Sequence, residues 1–195
     1  MAKPNVVSNE ELIKSAKACL VNNGIEKFTL RAVADLAGVT QGTIYYHFRT
    51  KDQLLLAIVQ DICEKSWSEI NRLENADILS QAIQSAKSRC SYDSFYHKLF
   101  FTLVVSSFHN EQIRSQIGEI TKSENNALIN NLQKLWPKSP IDGVSVETWG
   151  ILINAIVDGL AIQALVQKDF QVDKTYEELE RLLKGLTHLL NEVKE

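Results

Sequence analysis

From Ser8 onward the apolar positions recur every three to four residues, the spacing of one face of an α-helix. Leu12, Ile13, Ala16, Cys19 and Leu20 form the first such stripe. Ser8 and Glu11 have the spacing of a capping box at its start, and Gly24 lies just past its end. Leu30, Val33, Ala34 and Leu36 predict a short second helix, capped by Thr29 and ended at Gly38, where a positive φ is permitted. Thr40 is placed to cap a third helix that points Ile44 and Phe48 inward. A second box, Thr50-x-x-Gln53, opens a fourth of about twenty residues through Leu55, Ile58, Val59, Ile62, Ser66 and Ile70.

Further along, residues 78–89 predict a weakly amphipathic fifth helix. Ser94 to about Phe108 predicts a sixth, apolar nearly all round and therefore expected to be central in the body. A seventh runs from about Glu111 to Trp136, stopped by Pro137, and residues 137–143 read as a surface loop. The eighth, about Val146–Lys168, is strongly apolar. The ninth is expected to open on a third box, Thr175-x-x-Glu178, and repeats leucine at 179, 182, 183, 186 and 190. The pattern predicts an all-α protein of about nine helices: a three-helix head over residues 1–51, and a helical body over 52–195 linked to it by the fourth helix.

Composition changes this picture little, but charge sharpens it. The chain of 195 residues has a formal net charge of −3. Residues 1–51 hold seven Lys and Arg against four acids, a balance of +3, and the remainder balances at −6. A small basic head suits a polyanionic partner, and an acidic body does not. Cys19, Cys63 and Cys90 are odd in number and widely spaced, which favours buried small hydrophobes over a thiol sensor. The N-terminus lacks a hydrophobic signal core and no stretch approaches twenty uninterrupted apolar residues, so a cytoplasmic protein with no membrane partner is expected.

The richest segment is residues 29–51. Two short helices joined at Gly38, the second exposing Thr40, Gln41, Thr43, Tyr45, Tyr46 and His47, form a helix-turn-helix. Thr29, Ala37-Gly38-Val39, Gly42-Thr43-Ile44-Tyr45, Tyr46-His47-Phe48 and Thr50-Lys51 together resemble the DNA-binding motif of the tetracycline-repressor (TetR-like) regulators. That resemblance implies a transcriptional regulator, commonly a ligand-released repressor, and not an enzyme. On chemistry and motif match, Thr29 and Lys51 are expected at helix N-termini facing phosphate. Tyr45, Tyr46 and His47 reach phosphates or thymine methyl groups; Thr40, Gln41, Gly42 and Thr43 enter the groove deepest, with Gln41 suited to adenine; Arg31 reaches a base or a phosphate.

The resemblance also implies a homodimer on a palindromic operator, joined by the last two helices, and the residues agree. Ala155 and Gly159 permit close crossing, Ile162 and Val166 continue their face, and Leu179, Leu183, Leu186 and Leu190 lie beside it. It implies an unidentified small-molecule effector in the body. Trp67, Tyr96, Phe100, Leu103, Ile117, Trp149, Ile153 and Asp158 are the candidate lining, although such an aromatic stripe serves equally as plain core. Asp158 stands among Ile156, Val157, Leu160 and Ala161, where a bare carboxylate is costly. Three placements are open to it: pairing across a dimer, bonding a donor such as Trp149 or Asn154, or facing a polar pocket. No cofactor or metal is expected, since none of the four histidines follows a Glu by three residues and no Gly-rich phosphate loop or Gly-x-Ser-x-Gly turn is present. The competing classes are a helical enzyme or metal carrier, and a helical protein-interaction module that needs neither the basic head nor the exposed Tyr45-Tyr46-His47 cluster.

Overall fold

The structure is a computed structural model that describes residues 7–72, 78–136 and 138–192, with side chains as far as residue 187. Among these residues there are nine helices and no strand: α1 (Asn9–Asn23), α2 (Leu30–Ala37), α3 (Gln41–Phe48), α4 (Lys51–Arg72), α5 (Ile78–Arg89), α6 (Phe95–Ser107), α7 (Glu111–Leu135), α8 (Val146–Val166) and α9 (Val172–Glu192). They form two compact units that do not follow chain order. One comprises residues 1–62 and 98–117, the other 63–97 and 118–195, so α4, α6 and α7 each run through both.

In the first unit the buried stripe of α1 is the expected one, and Phe28, Val33, Ile44, Leu54, Leu55, Ile58, Leu99, Leu103 and Ile113 are likewise buried. The capping box of α1 is complete. The Ser8 hydroxyl accepts from the Glu11 amide at 3.2 Å, and the Glu11 carboxylate accepts from the Ser8 amide at 2.9 Å. Those bonds hold the Glu11 carboxyl below the usual carboxylate range. In the second unit Ile83, Leu132, Trp136, Ile153, Ala161, Ala164, Tyr176 and Leu183 are buried. The Trp136 indole donates to Thr187 at 2.9 Å.

Several expectations need correction. α9 starts at Val172, three residues before Thr175, whose amide donates to the Gln171 carbonyl at 2.9 Å. Thr175 is thus inside the first turn and caps nothing; in the same turn the Asp173 carboxylate pairs with Lys87 at 2.7 Å. At Thr50 only half of the box forms. Its hydroxyl accepts from the Gln53 amide, but the Gln53 side chain pairs with Gln116 at 2.7 and 3.2 Å. α6 is apolar all round without being buried all round: Phe95 and Val105 are exposed, and Phe108, just past its end, is exposed by 62%. α8 stops at Val166 because Gln167 is extended, and Pro137 lies outside the described residues.

Among the described glycines the closest helix approach is one the sequence did not single out. A Cβ placed on Gly150 of α8 meets Ile129 Cγ1 of α7 at 2.5 Å and the Ile129 amide nitrogen at 3.3 Å, whereas at Gly159 it meets nothing within 4 Å. Gly150 therefore sets the α7–α8 spacing, and the face carrying Gly159 is open.

Candidate nucleic-acid interface

Three threonine and glycine positions set the motif. Thr29 accepts from the Ala32 amide at 3.0 Å and so starts α2. Gly38 is left-handed at φ 67°, ψ 29°, which no β-carbon tolerates well, and it returns the Val39 amide to the Ala34 carbonyl at 3.0 Å. Thr40 then accepts from the Thr43 amide at 3.2 Å and starts α3. Ile44 and Phe48 anchor α3 inward. That leaves Gln41, Gly42, Tyr45, Tyr46 and His47 exposed, Tyr46 by 72%, with Thr43 half-buried. The expected reading residues are therefore together on the outer side of one helix, and Arg31 is exposed on α2.

Two basic residues behave in ways the sequence did not disclose. Arg49 closes α3 with φ 61°, ψ −50°, and the Thr50 amide bonds back to the Phe48 carbonyl at 2.6 Å. This is a γ-turn with positive φ, a rare and strained geometry, here on a bulky residue. Its guanidinium lies over the rings of both Tyr45 and Tyr46, at 5.6 and 5.8 Å. The only signal in the sequence was the i,i+4 spacing of Tyr45 and Arg49. Lys51 is half-buried and donates to the Ile25 carbonyl at 3.0 Å, tying the α1–α2 connection to the start of α4.

Residues 12–58 match the family model described as bacterial regulatory proteins, tetR family. The chain is 30% identical over 173 residues to the fatty acid metabolism regulator protein of Bacillus subtilis, covering 85% of this chain and 79% of that one. The chain belongs to the TetR family. It is also 25% identical over 173 residues to the transcriptional regulator TtgR of Pseudomonas putida, covering 82% of this chain and 80% of the relative. A TetR transcription regulator from Haloarcula marismortui shares its fold, with a TM-score of 0.70 at 17% identity over 93% of this chain and 96% of the other. As a TetR-family protein it is a DNA-binding transcriptional regulator and not an enzyme.

In the second unit of this TetR-family chain a narrow cavity of about 60 Å³ lies among α4, α5, α7, α8 and α9. Of the expected lining, Trp67 and Ile153 border it. Tyr96 bonds Cys63 at 3.1 Å and lies beneath Arg89, which does border it. Trp149 packs edge-on against Trp136 and donates to Ser139. Phe100, Leu103 and Ile117 are buried in the other unit. Neither proposed donor reaches Asp158, since Asn154 donates to Asn125 at 2.8 Å. Burial first, then the nearby Glu124 carboxylate, raise the Asp158 carboxyl to about 6, with Arg89 opposing. The sequence placed α5 correctly but not in the lining, where its Ala82 and Ala86 leave the space that larger neighbours border.

The cysteines are buried and free. Burial pushes the Cys63 thiol up to about 12, which leaves little thiolate. On α8, Ile151, Leu152, Ala155, Ile156, Gly159, Ile162 and Val166 form one exposed stripe, Val166 by 71%. On α9, Leu179 and Leu183 are buried inside the protomer, Leu182 is exposed and Leu186 half-buried, while Leu190 lies beyond the described side chains. By length and composition α8 could cross a membrane, the one such helix among the described residues. Among the same residues no three His, Cys, Asp or Glu side chains gather as a metal site.

Proposed function

We propose that this chain is a cytoplasmic, effector-released repressor that binds a palindromic operator as a homodimer. Residues 1–51 serve as the DNA-binding head and 52–195 as the effector and dimerisation body. The observation that carries the homodimer is the exposed stripe of α8. A contiguous apolar face on a soluble regulator marks an association surface. A second copy, crossing at Gly159 where nothing fills the space above Cα, gives an isologous contact about a twofold axis. Leu182 and Leu186 extend the same surface, while Leu179 and Leu183 hold α9 to its own protomer.

A twofold dimer presents two copies of α3 to successive major grooves, about 34 Å apart. Thr40, Gln41, Gly42 and Thr43 approach base edges, with Tyr45, Tyr46, His47, Thr29 and Lys51 on the backbone and Arg31 at the margin. Residues 40–48 contain no Arg or Lys, so the bidentate contact to guanine is unavailable from α3, and half-sites rich in A·T are expected beneath it. Effector binding in the body favours a DNA-incompetent state, and by linkage operator DNA weakens effector binding by the same factor. Sedimentation and DNA footprinting test this reading. A dimer protecting two half-sites one helical turn apart is expected, with Ile162→Glu giving monomers that no longer protect both. A wild-type monomer, or an Ile162→Glu dimer, would refute it.

A further inference from the structure

The polarity of the cavity in the second unit is sorted along its length. Trp67 donates to Glu124 at 2.8 Å, Asn131 to Asn71 at 3.4 Å and Arg89 to Ser66 at 2.8 Å, which fixes the register of α4 against α7 and α5. Lys87–Asp173 and Ser80–Glu180 fix α5 against α9. In that register Arg89, Ser66, Ser85 and Glu124 border one end. The other end is bordered by Ile78, Leu79, Leu132, Leu135 and Leu183.

At the polar end Arg89 Nη1 donates to Ser66 and Ser85, at 2.8 and 2.9 Å, and the guanidinium rests on the Tyr96 ring at 5.5 Å. Among the described residues no carboxylate comes within 4 Å of it, because Glu124 is held by the Trp67 indole. Among the described residues the guanidinium hydrogen-bonds only to hydroxyls, and Asp158, whose charge it feels, does not pair with it, so a part-buried cation borders the cavity with no direct ion-pair partner. Its unused edge matches a planar carboxylate through two parallel N–H···O bonds. The nearby Glu124 and Asp158 carboxylates oppose such an anion at neutral pH, and protonation of Asp158 below about pH 6 removes one of the two charges.

The shape narrows the rest of the ligand. The cavity is only about 60 Å³, so any ligand has to displace lining side chains, and a thin extended chain displaces fewer of them than fused rings do. α5 borders it from Ile78 to Arg89, about 16 Å of helix at 1.5 Å per residue. An extended chain advances about 1.2 Å per bond, so about twelve carbons span that length. Leu79, Leu128 and Leu135 are only half-buried and have rotamer freedom to admit a chain.

We propose that this cavity binds a single unbranched aliphatic carboxylate of about twelve carbons, its head on Arg89 and its tail running toward Leu135 and Leu183. The inference rests on the reading of this region as an effector-binding body, and its test measures binding separately from operator release. Calorimetry on the full chain, below the micellar range, compares the straight-chain carboxylates from octanoate to hexadecanoate with dodecanol, dodecyltrimethylammonium and anthracene carboxylate. Affinity is expected to rise roughly fourfold per methylene and to level off near twelve carbons. Dodecanoate should bind at least tenfold tighter than dodecanol. Arg89→Gln should abolish that preference while keeping dodecanol affinity, and Ala82→Phe should shift the levelling-off to shorter chains. Helix content by circular dichroism checks that both variants fold. Absence of dodecanoate binding, tighter binding of dodecyltrimethylammonium or anthracene carboxylate, or a carboxylate preference that survives Arg89→Gln would overturn the proposal. Dodecanoate that binds without releasing operator would uphold it and count against effector release. Release by another compound with no dodecanoate binding would overturn this proposal alone.

Discussion

Replacing Asp158 by Asn should stabilise the protein at neutral pH and expose a hidden sensitivity to acid. Burial and Glu124 raise the Asp158 carboxyl from its ordinary 3.8 to about 6. That difference, at 1.36 kcal/mol per pH unit, makes the ionised group cost about 3 kcal/mol in the folded chain at pH 7. Between pH 6 and 4 the folded chain holds this proton and the unfolded chain does not, so this group alone makes stability rise as pH falls. His97 does the opposite. Burial is the main cause that lowers it from 6.5 to about 4, although its Nδ1 lies 2.8 Å from the Arg89 carbonyl oxygen. The unfolded chain takes up that proton first, and stability falls by about 3 kcal/mol between pH 6.5 and 4. In the wild-type chain the two slopes nearly cancel from pH 6 to 4. Asp158→Asn removes only the first. It should gain about 3 kcal/mol over wild type at pH 7, and the gain should shrink to nothing by about pH 4. Urea unfolding at one fixed protein concentration, repeated across that range, measures it. A gain that stays constant with pH, or a loss at pH 7, would refute the placement of Asp158 in a desolvated, acid-facing site.

The remaining predictions concern packing and DNA. Gly150→Ala should destabilise by about 1–3 kcal/mol in the same assay, because Ile129 Cγ1 stands 2.5 Å from the added carbon; an unchanged midpoint would show that α7 and α8 are free to part. Ser8→Ala should cost about 0.5–2 kcal/mol through loss of the α1 cap. Lys51→Ala should weaken all DNA sequences alike, reduce the salt slope by about one per head and lower the unfolding midpoint by freeing Ile25; unchanged DNA affinity would leave only the structural role. Gln41→Ala should relax base preference at one or two positions per half-site, by about 1–3 kcal/mol, in selection from random DNA. A half-site that requires central guanine and ignores Arg31→Ala would contradict that assignment.

What was legible in the sequence was what local chemistry decides. Ser8, Thr29 and Thr40 cap helices because a short hydroxyl side chain reaches its own N-terminal amides, and Gly38 turns because it lacks a Cβ. The inward Ile44 and Phe48 left Gln41, Tyr45, Tyr46 and His47 outward without help from the rest of the chain. What was not legible depended mostly on partners distant in sequence. Thr175 has no capping role because α9 begins three residues earlier, at Val172, and the Thr175 amide is already bonded to the Gln171 carbonyl. Gly150, not Gly159, proved to be the close crossing because Ile129 of another helix lies over it. Leu179 and Leu182 share one leucine repeat, yet one is core and the other surface. The cavity was hidden because its space comes from Ala82 and Ala86, which as sequence say only helix.

The γ-turn at Arg49 has a consequence for entropy. Tyrosine side chains at the end of a recognition helix are ordinarily mobile, and freezing two of them on contact with DNA would subtract from affinity, at about 0.5–1.5 kcal/mol per ordered side chain. Here one guanidinium already lies over both rings, held by a backbone that only the folded turn can impose. Folding does the ordering, in the first unit, long before any operator is met. The strained residue thereby converts part of the stability of the fold into rigidity at the surface expected to touch phosphate, and Arg49→Gly, which suits the turn but removes the guanidinium, should leave the tyrosines to lose their freedom at every encounter.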